Sequence, residues 1–439
     1  MSKVPSALLT VLLCFSKIAV AQEATFLKLE DALEAALKSN SNITQARLEE
    51  ARATAAFKQT RAIFLPQINV SYTAISTNNP LNVFGTKLQQ QNVTQPDFNP
   101  EILNHPSAIQ NYTAKAEGHQ PLLNLDLLYR RQAAYLQTEI YSLQTRRTQS
   151  HVSFEVQKAY AQLQLAYEVK RTLEEALLTI KSIHTATTNR YTKGLLQQSD
   201  VLQAQVQVST TESLLAEAVS NLYNTSDYLS LCMGKTPGIL YRVDTAYILT
   251  PVNSTDIHLP ENRADFKAIQ LSIDAQEHMI NATRMAHMPR MNAFAEYMFN
   301  DDDALRFGSD SYLAGIQLSW NVFNGMATRN KVVEQRIVRN KAAEQLHQQK
   351  EQSKLELNKT KRQLQDAQFL LQQQQTAVVQ ATEALRIVQN RYLQGLVSTN
   401  DVLQSQTLLS QQKLYYAQAV FQLTTTQLYL QFLTDASNE

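Results

Sequence analysis

Apolar residues recur every seven positions along two stretches of the chain. One stripe runs Val201, Val208, Leu215, Leu222 and Leu229, and the other Val402, Leu409, Tyr416, Leu423 and Leu430. Three residues further on stand mostly small side chains: Ala204, Thr211, Ala218 and Thr225, then Ser405, Ala419 and Thr426. A strict seven-residue spacing predicts helices that coil around neighbours with a left-handed twist. The stripes are narrow and the remaining surface is rich in Gln, Ser and Thr, so each helix meets water on more than one side. A solid antiparallel coiled coil and a hollow bundle both satisfy this pattern.

Helix breakers fix the lengths. The 439 residues include only 9 Gly and 11 Pro. Between Pro121 and Gly234 the single breaker is Gly194, and after Gly325 it is Gly395. This predicts two long helical hairpins that turn at these glycines. The turns are copies of each other: residues 189–205 and 390–406 match at ten of 17 positions, at a constant offset of 201. The outgoing arm over residues 326–394 would extend roughly 100 Å at about 1.5 Å per residue. Two shorter helical segments, residues 42–64 and 265–287, align at an offset of 223, pairing Arg61 with Arg284 and Pro66 with Pro289. Their length added to that of a return arm approaches one outgoing arm, which predicts end-to-end stacking beside it.

Between each short and long helix the period changes to two. Ile68, Val70, Tyr72 and Ala74 alternate with polar residues, as do Tyr112, Ala114 and Ala116. In the second half Met291, Ala293, Ala295, Tyr297 and Phe299 alternate with Asn292 and Glu296, though Phe294 and Met298 interrupt; Tyr312, Ala314, Ile316, Leu318, Trp320 and Val322 follow. These are four strands with one apolar face. Segment by segment, a half-buried soluble sheet fits best. A transmembrane barrel wall has the same signature, and here Tyr72, Tyr112, Tyr312 and Trp320 would supply its interfacial girdle. Four strands cannot close a barrel, and lipid tolerates no open edge. Two chains would pool eight strands around a side-chain-filled interior, and three would pool twelve, wide enough for water. The polar, Pro/Asn-rich segment 76–107 and the shorter segment 300–310, with Asp301, Asp302 and Asp303, read as solvated loops.

Charge and termini narrow the class. A net charge of +1 argues against a nucleic-acid partner. No apolar run suited to a spanning helix follows the N-terminal region. Residues 1–21 read as a signal peptide, with Lys3, an apolar core from Ala7 to Phe15 and cleavage after Ala21. Leu13 before Cys14 is too large for a lipid-anchor site, which leaves Cys232 as a single buried thiol. No nucleophile arrangement, phosphate loop or metal-ligand spacing occurs, so neither an enzyme nor a cofactor is expected.

The doubled Arg-Tyr-x-x-Gly-Leu-x-x-x-x-Asp-Val-Leu-Gln turn resembles that of the TolC-type outer-membrane factors. So do Leu65-Pro-Gln-Ile68, Gln120-Pro-Leu-Leu-Asn124, Arg263-Ala-Asp-Phe-Lys-Ala268 and Val322-Phe-Asn-Gly325, in order and across the mature chain. The resemblance implies an α+β membrane protein of two internal repeats. Three chains would build a 12-stranded β-barrel in the outer membrane of a Gram-negative bacterium and a 12-helix α-barrel in the periplasm. It assigns residues 66–123 and 289–323 to the β-barrel and its loops, and 42–65, 124–234, 264–288 and 324–433 to the helices. Residues 22–41 and 235–263 become an equatorial region. The implied partners are two further copies of the chain, outer-membrane lipid, a periplasmic adaptor and an inner-membrane pump of RND or ABC type. The implied role is the passive exit duct of a tripartite efflux or type I secretion system.

The resemblance also places the turns at the periplasmic mouth. Gly194, Leu195 and Leu196 with Gly395, Leu396 and Val397 would meet the adaptor. Asp401 matches an aspartate that constricts the closed mouth, and Asp200 one that tethers the hairpins through a tyrosine, here Tyr392. Gln404 stands where the pattern has a second constricting aspartate, and Val397 where it has a tether arginine. On the residues alone, both aspartates are also favourable charges at a helix N-terminus, and both glycines are helix caps. The rival class is a pore-free periplasmic coiled-coil or adaptor protein, although such proteins carry one hairpin and Gly-rich β-domains.

Overall fold

A computed structural model of the chain describes residues 25–244 and 258–435. The expected signal peptide and residues 22–24 and 245–257 of the expected equatorial region lie outside them. The element order is β1 (Thr25–Phe26), α1 (Leu29–Ser39), α2 (Ser41–Gln59), β2 (Gln67–Thr77), α3 (Pro80–Gln89), α4 (Pro100–Asn104) and β3 (Ile109–Leu123). Then come α5 (Leu125–Thr192), α6 (Gln198–Cys232), β4 (Tyr241–Arg242), α7 (Ala264–Met285), β5 (Arg290–Asp301), β6 (Ser309–Ser319), α8 (Ala327–Leu393) and α9 (Thr399–Thr434). The outgoing helices α5 and α8 contain 68 and 67 residues. The chain forms two compact units, to both of which α2, α5 and α8 contribute.

The first unit holds both glycine turns and the return helices. Most of the seven-residue stripe is buried there: Val208, Leu222, Leu229, Val402, Leu409, Leu423 and Leu430 are all at most 7% exposed. Tyr416 departs from the pattern and is exposed. Where α6 ends, Gly234 has φ +70°, and a Cβ there would lie 2.2 Å from the Ser39 carbonyl oxygen, so only glycine fits. Asn40 Nδ2 donates to the Cys232 carbonyl at 2.8 Å, and Tyr160 Oη to the Leu27 carbonyl at 3.1 Å. These bonds fasten α1 and a parallel β1–β4 pair onto α5 and α6. Cys232 itself is half-buried rather than fully enclosed, and burial pushes its thiol pKa up.

The second unit holds one antiparallel sheet in the order β2-β3-β5-β6. Its register sorts the alternating pattern into two faces. One face carries the rows Ile68, Gly118, Ala295 and Ala314, then Val70, Ala116, Tyr297 and Tyr312. The other carries Asn69, Glu117 and Glu296, then Ser71 and Lys115. Lys115 Nζ lies 2.8 Å from Glu117 and 2.7 Å from Glu296, so the polar face carries paired charge. Phe294, which interrupts the alternation, sits on this polar face with its ring over Gly315; a Cβ there would come within 2.9 Å of the Phe294 Cζ. The aromatic ring fills the space left by the missing side chain.

The loop over residues 76–107 holds more structure than its composition suggested. Asn79 caps α3, its side chain accepting from the Asn82 amide, and Asn99 caps α4 in the same way from the Glu101 amide. In each case the next residue is proline at the first helical position. Asn-Pro here is a helix-start signal, not a coil signal. Lys87 pairs with Asp97 at 2.5 Å between the two helices. Asp301 of the acidic triplet is buried and braces its own loop, accepting from the Gly308 amide at 2.6 Å and the Asp303 amide at 3.0 Å.

Candidate functional site

The two turns share one backbone design. In the first, the Leu195 amide donates to Arg190 O at 3.0 Å and the Gly194 amide to Tyr191 O at 2.8 Å. In the second, Leu396 donates to Arg391 O and Gly395 to Tyr392 O, each at 2.9 Å. This pair of bonds is the Schellman closure, which needs a left-handed residue after the helix. Gly194 and Gly395 supply it, with φ +73° and +78°. Neither has any atom within 4 Å of a notional Cβ, so glycine is required by conformation and not by space.

The closure pushes Leu195 and Leu396 outward, 69% and 63% exposed. Leu196 and Val397 are half-buried. Each return helix then begins at a capping aspartate. Asp401 Oδ2 accepts from the Ser398 amide at 2.9 Å and the Ser398 hydroxyl at 2.8 Å, and the Ser398 hydroxyl accepts from the Asp401 amide. This reciprocal bonding satisfies otherwise unpaired helix-end groups. The Ser398 hydroxyl, then its backbone, hold the Asp401 carboxyl pKa below its ordinary value. Asp200 accepts from the Gln197 amide at 3.1 Å.

The expected link from Tyr392 to Asp200 is replaced by a different one. Tyr392 is 3% exposed, and its hydroxyl lies 2.8 Å from Thr187 Oγ1. Arg190 covers the ring, its guanidinium carbon 4.5 Å from the centroid. The same guanidinium donates to Tyr392 O at 2.8 Å and Leu393 O at 2.9 Å. Asp200 caps its own helix, and the hydroxyl of Tyr392 meets Thr187, on α5, instead. Thr187 and Arg190 were missed in the sequence because the repeat shows that Arg-Tyr occurs twice without showing that the arginine of one copy holds the tyrosine of the other. Around this clasp the four helices share one apolar core, which includes Ile180, Ile183, Ala204, Val208, Leu385, Val402 and Leu403.

Asp401 and Gln404 are both exposed near the start of α9. Gln404 lines a groove of about 820 Å³ between the starts of α6 and α9, together with Leu202, Val206, Asn400 and Leu408. A carboxamide here can hydrogen-bond but adds no second charge beside Asp401.

In the sheet, Tyr72 and Tyr112 stack with centroids 6.4 Å apart at the loop end, and Tyr72 Oη accepts from the Leu305 amide. Tyr312 is 80% exposed. Trp320 follows the opposite end of β6 and donates from Nε1 to His287 O at 3.0 Å. Ten residues separate Trp320 from Asp310. That is roughly 33 Å along a strand, or about 25 Å of height at a tilt near 40°. Ile316 and Leu318 lie in between, each 67% exposed. A water-soluble sheet would bury this face. Its width and aromatic ends match an outer-membrane wall.

The sequence model of the outer membrane efflux protein family matches residues 32–235 and 258–435. The chain belongs to the outer membrane efflux protein family. The match has two segments, one for each half of the internal repeat. Solved structures with the same fold include the CmeC outer membrane channel of Campylobacter jejuni, with TM-score 0.78 and 15% identity, covering 94% of this chain and 87% of that one. VceC of Vibrio cholerae gives 0.77 and 18%, covering 93% and 97%. The open state of the MtrE channel of Neisseria gonorrhoeae gives 0.73 and 13%, covering 92% and 88%. No curated protein sequence matches at a significant level. The TolC-type resemblance and the two-repeat α+β fold are thereby established.

Proposed function

We propose that three copies of this chain form a continuous conduit, the passive exit duct of a tripartite efflux or type I secretion system. The observation that carries this reading is the sheet: four strands, an exposed apolar face, and two edge strands, β2 and β6, whose outer edges pair with no strand among the described residues. Lipid solvates the apolar face but cannot satisfy the edges, so further copies must. Three copies give twelve strands, with Lys115, Glu117 and Glu296 facing the water-filled interior. A pore-free coiled-coil protein would leave the apolar face without a suitable solvent.

In this reading the helical hairpins stand in the periplasm and expose their glycine turns there. Leu195 and Leu396 are apolar knobs on a polar rim, with Leu196 and Val397 beside them, and these tips receive the helical hairpins of an adaptor protein. Tyr72, Tyr112, Tyr312 and Trp320 anchor the barrel at the two interfaces. The mouth narrows at Asp401, with Gln404 one turn deeper, and its cation selectivity rests on a single ring of three carboxylates. Pump and adaptor supply energy and substrate choice. The test is co-purification of the adaptor with the protein from outer membranes. Leu195→Glu with Leu396→Glu should abolish it while the trimer persists, and undiminished adaptor recovery would overturn the docking assignment.

A further inference from the structure

We propose that the second copy of the arginine–tyrosine motif, Arg391 with Tyr191, is a clasp between neighbouring chains, and that the mouth parts along these seams rather than within a chain. The proposal rests on the three-chain reading above. Inside one chain, α5 of the first hairpin presents Ile183, Thr187 and Arg190, and the second hairpin receives them with Leu385, Tyr392 and Leu403. The repeat carries each face to the other hairpin at the 201-residue offset. Arg190 becomes Arg391, Tyr392 becomes Tyr191, and Leu403 becomes Leu202.

These counterparts are uncovered. Tyr191 is 40% exposed against 3% for Tyr392, and Leu202 is 57% exposed against 6% for Leu403. Arg391 is exposed, and among the described residues its guanidinium meets no acceptor. The second hairpin thus ends in an unused donor face and the first in an unused acceptor face. Arginine, tyrosine and leucine recur at the matching positions, while Ile183, Thr187 and Leu385 become Ala384, Val388 and His184; the two faces share the arginine–tyrosine joint already made inside the chain, so the occupant that fits both is another copy. Such a head-to-tail contact generates a ring if its rotation closes. In that contact Arg391 would donate to Tyr191 O and Thr192 O of the next chain, as Arg190 does to Tyr392 O and Leu393 O.

Among the substitutions between the copies, one removes a hydrogen-bond partner and makes the two joints unequal. The counterpart of Thr187 is Val388. Tyr392 finds the Thr187 hydroxyl 2.8 Å away and that of Thr399 at 3.4 Å, whereas Val388, at the edge of the intrachain core, would offer Tyr191 only methyl groups in place of Thr187. The seam between chains therefore keeps its arginine bridge but lacks the buried hydroxyl bond, and it separates first. It also supplies a mouth-spanning arginine in a chain that has Val397 at the tether position.

The experiment restores the missing partner in the full-length protein and measures the open fraction of single channels in planar bilayers. Val388→Thr should lower the open-to-closed ratio about fivefold per seam, the worth of one buried hydrogen bond. In a Tyr191→Phe background the same change should do nothing, and Arg391→Ala should raise the ratio. Less than a twofold effect of Val388→Thr, or an equal effect with and without the Tyr191 hydroxyl, would overturn the seam. Native mass measurement on the same preparations separates the two levels. Trimers with those results overturn the seam alone, whereas monomers overturn the channel reading and the seam together.

Discussion

Arg190→Ala removes the bridge that joins the two hairpins of one chain. Two charge-assisted hydrogen bonds, at 2.8 and 2.9 Å, and a ring contact at 4.5 Å are lost. The guanidinium is half-exposed, so each bond contributes less than the usual value for a charged donor, about 0.75–1 kcal/mol, and the ring about 0.5–1 kcal/mol. The Tyr392 carbonyl keeps its bond from Gly395, so little is added for an unsatisfied acceptor. The sum is about 2–3 kcal/mol of local stability. Opening of the last turn of α8 should then become at least about thirtyfold more frequent, since about 1.4 kcal/mol is a factor of ten. Hydrogen exchange at residues 388–396, followed by mass spectrometry, reads this directly. Arg190→Lys should restore only part of the protection, because an ammonium cannot span two carbonyls and cover a ring together. Tyr392→Phe should cost about 1 kcal/mol, because the Thr187 hydroxyl keeps its bond to Ile183 O. Exchange in Arg190→Ala within twofold of the parent, or below that of Tyr392→Phe, would refute the clasp.

Gly395→Ala should destabilise the tip by about 1–2 kcal/mol through its positive φ alone, visible as faster exchange around the turn without loss of the trimer. Asp401→Ala should reduce divalent-cation block of single channels and loosen the start of α9; unchanged block would remove the aspartate from the constriction. The folded Asp401 carboxyl lies below its ordinary value, so its stabilisation is complete above the unfolded pKa and is lost as pH falls through the lower folded one. Cation block should accordingly hold from neutral pH down to about 4. Asp97 is held at about 2, first by Lys87 and then by Thr94. The α3–α4 loop should therefore stay protected in hydrogen exchange down to about pH 4 and loosen toward pH 2; loosening already at pH 6 would exclude the Lys87–Asp97 pair as its brace.

The long hairpins were legible because so few glycines and prolines interrupt them and because Val208, Leu222, Leu409 and Leu423 keep the period that burial requires. The strands were legible because lipid and water select opposite residue types on adjacent positions. Two features escaped for reasons of scale. β1 and β4 have two residues each, too few for any period to register. The helices α3 and α4 rest on Asn-Pro caps that also read as coil. The clasp escaped for another reason. Thr187 and Arg190 lie 205 and 202 residues from Tyr392, and nothing local distinguishes Arg190, which is engaged within the chain, from Arg391, which meets no acceptor among the described residues. The same limit explains the displaced expectation at Asp200, since a capping aspartate and a tethering one look alike until the tyrosine's neighbours are placed.

The most direct test of the central claim is the native mass of the protein extracted intact from outer membranes. Three chains per particle are predicted, because twelve strands close the sheet around an aqueous lumen. A monomer would leave both sheet edges open in lipid, and a dimer would fill its barrel with side chains, so either mass would contradict the account.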